Sequence, residues 1–88
     1  MTAQEIKSRI ESLGPATHSE VIDLTGTQDH WEALVVSPAF EGKLMIEQHR
    51  MVLGLFEKEI QSNEVHALTL KTYTPKQFEK KASIKNIL

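Results

Sequence analysis

Cysteine is absent from this 88-residue chain, which excludes disulfide scaffolds, thiolate zinc sites and cysteine nucleophiles together. The four histidines are then its softest metal ligands. No apolar run approaches the roughly 20 residues that a membrane-spanning helix requires, so no membrane role is expected. The opening Met1-Thr2-Ala3-Gln4-Glu5 has no positive region leading into an apolar stretch, and no secretory signal is read there. The expected compartment is the cytoplasm, or an organelle if a transit peptide has been removed. Also missing are a Gly-rich phosphate loop and any recognisable Ser/His/acid arrangement. Glu57 and Glu59 stand two apart, a spacing that points them to different sides of a helix. A chain this short has little room to bury a substrate. It reads as a non-enzyme.

Apolar residues make up 40 % and charged residues 25 %, the composition of a folded globular domain rather than a disordered chain. The length allows one core, so residues 1–88 are read as a single domain. The net charge of −2 is unevenly spread. Residues 1–70 hold five basic and eleven acidic side chains, whereas 71–88 hold Lys71, Lys76, Lys80, Lys81 and Lys85 against Glu79 alone. A basic tail on an acidic body has two readings: a nucleic-acid contact, or the solvated face of a terminal helix. The absence of an Arg cluster or an aromatic platform favours the second.

Thr2 with Glu5 forms a capping box, and Ile6, Ile10 and Leu13 make one helical stripe that Gly14-Pro15 ends. His18 to Leu24 and Trp31 to Val36 read as strands of a hairpin across the turn residues Thr25-Gly26-Thr27-Gln28-Asp29. Ser37-Pro38 caps one helical turn through Phe40. A long amphipathic helix is expected over Leu44 to Gln61, with Met45, His49, Val52, Leu53, Phe56 and Ile60 on its apolar stripe. Gly54 inside it marks either close packing or a break into two helices. Val65 to Thr72 alternates as a third strand, with His66, Leu68 and Leu70 on one face. Thr74-Pro75-Lys76-Gln77 is a second capping box opening a short basic helix, and 82–88 reads as a loose basic tail. The expected core is Ile6, Ile10, Trp31, Val35, Val52, Phe56, Leu68 and Leu70. The order αββαβα is that of an α+β sandwich: a small three-stranded mixed sheet with helices packed on one face. The third strand follows a helical crossover and can run parallel to a hairpin strand.

The strings Val35-Val36-Ser37, Phe40-Glu41-Gly42-Lys43, Gln48-His49-Arg50, Val65-His66-Ala67-Leu68 and Tyr73-Thr74-Pro75 occur in the order and spacing of the BolA-like family, which the chain resembles from about His18 to Phe78. The resemblance implies a KH-like fold of the second type. Neither the family nor this sequence carries the Gly-X-X-Gly loop with which KH domains clamp nucleic acid. It further implies an adaptor that pairs with a monothiol glutaredoxin and co-ligates a 2Fe–2S cluster, in cluster trafficking or iron homeostasis. The partner would supply a cysteine and a glutathione thiol, and the BolA-like protein a histidine and a second, variable ligand. The isolated protein is expected as a cofactor-free monomer and the complex as a heterodimer. An alternative carried by the same resemblance is a transcriptional regulator that binds DNA, with Lys76, Lys80 and Lys81 on phosphates. The acidic body opposes that reading, since non-specific DNA affinity rests on phosphate neutralisation.

On its residues alone, His66 reads as a histidine at the rim of an apolar strand face. The resemblance makes it the cluster-ligating histidine, and a neutral imidazole is a known replacement for thiolate on such a cluster. The variable ligand is a Cys or His in the hairpin loop of many relatives, but here the comparable position near Thr27 is a hydroxyl. His30 is the nearest substitute, and His18 a poorer one. With His66 beginning a strand and His30 at the mouth of a mobile turn, His30→Ala is expected to weaken cluster binding less than His66→Ala. Partner contacts are assigned to Arg50, taken as solvent-facing, to half-buried His49 and to Lys71.

Overall fold

The computed structural model describes the backbone of residues 1–87 and the side chains of residues 1–81. Helix α1 spans Ala3–Glu11, and strands β1 (His18–Asp23) and β2 (His30–Val36) follow. A 3-10 turn at Pro38–Phe40 leads to helix α2 (Met45–Leu53), a second 3-10 turn at Gly54–Phe56 and helix α3 (Glu57–Gln61). Strand β3 (Ala67–Tyr73) and helix α4 (Pro75–Ile87) complete the chain. The two capping boxes form as the sequence implies. Thr2 accepts from the Glu5 N–H while Glu5 accepts from the Thr2 N–H, and Thr74 and Gln77 exchange the same pair. The expected loose tail, 82–88, falls on residues whose side chains lie outside the described set, although the α4 backbone is helical to Ile87.

The sheet order is β1-β2-β3. Central β2 pairs antiparallel with β1, from His18↔Val36 to Asp23↔Trp31. It pairs in parallel with β3, from His30↔Ala67 to Val36↔Tyr73. Strand alternation therefore sends Trp31, Ala33 and Val35 to one face, where they form a buried cluster with Ile6, Ile10, Phe40, Val52, Phe56 and Val65. Helices α1 and α2 and the 3-10 turn at Gly54–Phe56 cover this face. Leu68 and Leu70, expected in the core, are only partly buried and pack against it. Helix α4 departs from the one-sided arrangement: its Phe78 packs on Tyr73 and, with Lys81, lines a groove over Ile22 and Leu34 on the opposite face.

The expected long helix is broken at Gly54 into α2, a 3-10 turn and α3. Its apolar stripe is also corrected. Met45, the first residue of α2, is exposed together with its neighbours Leu44 and Ile46. Gln48 takes the inward position instead. Its amide donates to the Lys43 carbonyl at 3.1 Å and accepts from the Thr72 hydroxyl at 2.8 Å, which makes a polar group tolerable in the core. Lys43 follows Gly42, whose φ of +75° suits glycine.

The two central glycines should respond oppositely to alanine. Gly54 has helical backbone angles and nothing within 4 Å of an added Cβ, so Gly54→Ala should stabilise the domain by about 0.5–1 kcal/mol. Gly42→Ala should cost about 1 kcal/mol, because an L residue is strained at that φ. Urea midpoints of the two variants moving in the same direction would contradict this.

Candidate functional site

The hairpin loop that joins β1 to β2 is built around two aspartates. Asp23 accepts from the N–H groups of Gly26 at 2.9 Å and Gln28 at 3.0 Å, which lets Gly26 and Gln28 sit at positive φ. Asp29 organises the other half. Its Oδ1 accepts from the hydroxyls of Thr25 and Thr27 and lies 3.1 Å from Nδ1 of His30. These donors, Thr27 first and His30 next, hold the Asp29 carboxyl at about 2. With its pKa lower folded than free, the ionised carboxylate stabilises the loop at every pH above the ordinary carboxylate range. That contribution is lost as pH falls toward 2.

The same residue reaches across to the start of β3. The Asp29 carbonyl accepts from the N–H of His66 at 2.8 Å and of Ala67 at 3.1 Å. This carries the parallel pairing one step beyond the β2–β3 ladder and brings the two candidate ligands side by side. The imidazoles of His30 and His66 have centroids 4.9 Å apart and are tilted by 51°. His66 is exposed and His30 half-buried.

The expected rigidity of the two histidines is corrected. His66 precedes β3, which begins at Ala67, whereas His30 is the first residue of β2 and its ring is held by Asp29. Parallel pairing to β2 starts at Ala67, so the strand pattern read from Val65 began two residues early. The hydroxyl of Thr27, near which the resemblance implies a variable ligand, is engaged with Asp29. His18 lies at the far end of the sheet, paired with Val36, and faces Glu20.

The remaining candidates do not join this pair. Gln48, beside His49, bonds Thr72, six residues along the chain from His66 and so about 20 Å away at the rise of a strand. His49 is half-buried and Arg50 exposed, as expected, but both belong to that distant region. Lys71 lies on the sheet face opposite the core, where it pairs with Glu32 at 3.0 Å. That contact raises its pKa. On α4, Lys76 and Lys80 are exposed, and Lys81 donates to the Tyr73 hydroxyl at 2.6 Å.

Asp29 is the residue of this site that the sequence does not single out. Thr25-X-Thr27-X-Asp29 with His30 next reads as generic turn chemistry, yet two hydroxyls at i−4 and i−2 are the donors that fix such a carboxylate. Among the described residues, no three His, Asp or Glu side chains converge as a metal-binding group. Two neighbouring imidazoles fit half of a cluster's coordination and not a self-sufficient metal centre.

Residues 2–77 match the model of the BolA-like protein family. Protein BOLA2 of Arabidopsis thaliana is 38% identical over 81 residues, which cover 90% of this chain and 85% of that protein. The DNA-binding transcriptional regulator BolA of Escherichia coli (strain K12) is 30% identical over 86 residues, covering 90% of this chain and 81% of that protein. The solved structure of a bolA protein homologue from Coxiella burnetii superposes with a TM-score of 0.73 at 35% identity, over 90% of this chain and 97% of that one. Sequence and architecture agree along nearly the whole length, and the chain belongs to the BolA-like family.

Proposed function

We propose that this protein is a non-enzymatic adaptor that binds a monothiol glutaredoxin and co-ligates a 2Fe–2S cluster with it, in cluster trafficking or iron homeostasis. The observation that carries the reading is the His30–His66 pair, two imidazoles with centroids 4.9 Å apart at one end of the sheet. His66 would be one ligand and His30 the second, with the partner's cysteine and a glutathione thiol completing the set. When bound, the cluster would bring redox chemistry that this cysteine-free chain does not have, and histidine ligation raises the potential of such centres. The chain's own part is to present two neutral imidazoles from a braced loop. His66 is exposed and His30 half-buried, so the imidazole end is accessible to a protein partner.

Mixing the protein with a monothiol glutaredoxin, glutathione, ferric iron and a sulfide source should give a brown 1:1 complex with visible circular dichroism. The protein alone should stay colourless and monomeric under the same treatment. A colourless mixture, with the glutaredoxin eluting apart from this chain, would contradict the reading. The DNA-binding regulator is supported chiefly by the name of the Escherichia coli relative. Under that alternative, a salt-dependent promoter shift would appear without glutaredoxin and would weaken in Lys76→Ala/Lys80→Ala.

A further inference from the structure

The two imidazoles do not hold their places independently. One residue between the hairpin turn and β2 touches both. The Asp29 carboxylate meets His30 Nδ1 at 3.1 Å, and the Asp29 carbonyl accepts the His66 N–H at 2.8 Å. Thr25 and Thr27 donate to the same carboxylate oxygen, so the carboxylate is itself fixed from the turn side.

This arrangement dictates a tautomer. An ionised carboxylate only accepts, so a neutral His30 must carry its hydrogen on Nδ1 in order to bond to it. The lone pair then lies on Nε2, at the far side of the ring from Asp29. Without such a partner the hydrogen is free to move to Nε2, and the lone pair would point back toward the loop. Metal-ligating histidines in general donate their second ring N–H to a carboxylate or carbonyl, and loss of that partner costs 10–100-fold in metal affinity.

We propose that Asp29 is a positioning residue for the imidazole pair: its carboxylate selects the Nδ1–H tautomer of His30 and aims Nε2 outward, while its carbonyl pins the backbone of His66 alongside. This rests on the reading of the pair as a ligand site. Asp29 touches no cluster itself. Of the two imidazoles its side chain touches only that of His30, and its main chain, which substitution leaves in place, acts on His66. The division predicts that side-chain changes at Asp29 alter one imidazole and spare the other.

The test uses the full chain. Long-range nitrogen–proton correlation spectra of the apo protein, recorded at alkaline pH, report each tautomer directly. The wild type should show His30 protonated on Nδ1. Asp29→Ala should move it toward the Nε2–H form while the His66 signals stay in place. Asp29→Asn, which keeps a side-chain oxygen acceptor, should retain most of the wild-type tautomer. In complexes with a monothiol glutaredoxin, cluster retention should fall about 10-fold for Asp29→Ala and recover largely in Asp29→Asn. A merely structural role would change stability without a tautomer switch confined to His30. If His30 has the same tautomer in wild type and Asp29→Ala, the positioning role is overturned whatever the complex does. A normal switch in the apo spectra, together with full cluster retention in Asp29→Ala, would overturn the role of the tautomer in ligation. If the wild type forms no cluster-bearing complex, it is the ligand reading that fails, and the apo spectra separate that outcome from the first.

Discussion

His66→Ala should leave the domain folded and strip most of the cluster from its complex with a monothiol glutaredoxin. The side chain is exposed and lies before β3, so its truncation should move stability by no more than about 0.5 kcal/mol. The backbone bond from its N–H to the Asp29 carbonyl survives the substitution. Loss of a ligand, in contrast, should cost more than the 10–100-fold attached to losing an outer partner. His30→Ala should weaken the complex by a comparable factor. Rigidity no longer ranks His30 second, because it opens β2 and its ring is held between Asp29 and His66. Acid should release the cluster from every variant, since a protonated imidazole has no lone pair to donate. Visible circular dichroism of the mixed complexes at several pH values provides the measurement. A wild-type spectrum from His66→Ala would remove the ligand assignment and, with it, the residue-level support for the adaptor function.

What could be read from the sequence, and what could not, follows from the range of the interactions concerned. Capping boxes at Thr2 and Thr74 join residues three apart, so they are visible in a linear string. The hairpin and the crossover to a parallel third strand follow from alternation and turn chemistry, and both are present. Gln48 is not visible as a core residue because its partners, Thr72 and Lys43, come from strand β3 and the loop before α2. Polarity in a helical stripe reads as a solvent face unless those partners are known. The edge of β3 was misplaced for the same reason, since Ala67 is fixed by pairing with β2 and not by its own neighbours. At the site, the resemblance named His66 and elimination named His30, but their adjacency depends on the parallel register. Only that register brings residues 36 positions apart to within 4.9 Å.

Phe56→Ala should be among the most damaging single substitutions for the fold, at about 3–5 kcal/mol. Phe56 is fully buried in the cluster that joins α1, β2 and the helix break. It ends the 3-10 turn at φ −119° and ψ 18°, so the chain leaves helical geometry where this ring enters the core. Above the ring sits the Arg9 guanidinium, 5.2 Å from its centroid, which also donates to the Leu55 carbonyl and pairs with Glu59. Truncation therefore opens a cavity and removes a cation–π contact of about 0.5–1 kcal/mol. It also loosens the strap that ties α1 to α3. At 0.05–0.15 kcal/mol per residue, a domain of 88 residues has roughly 4–13 kcal/mol in total, so this one change removes a large share of it. Phe56→Leu, which keeps much of the volume, should cost clearly less. Ile60→Ala, one turn further along at 37% exposure, should cost under about 1 kcal/mol. Urea unfolding of the three variants tests the order. Equal midpoints for Phe56→Ala and Ile60→Ala would mean that the helix break is not anchored through this ring.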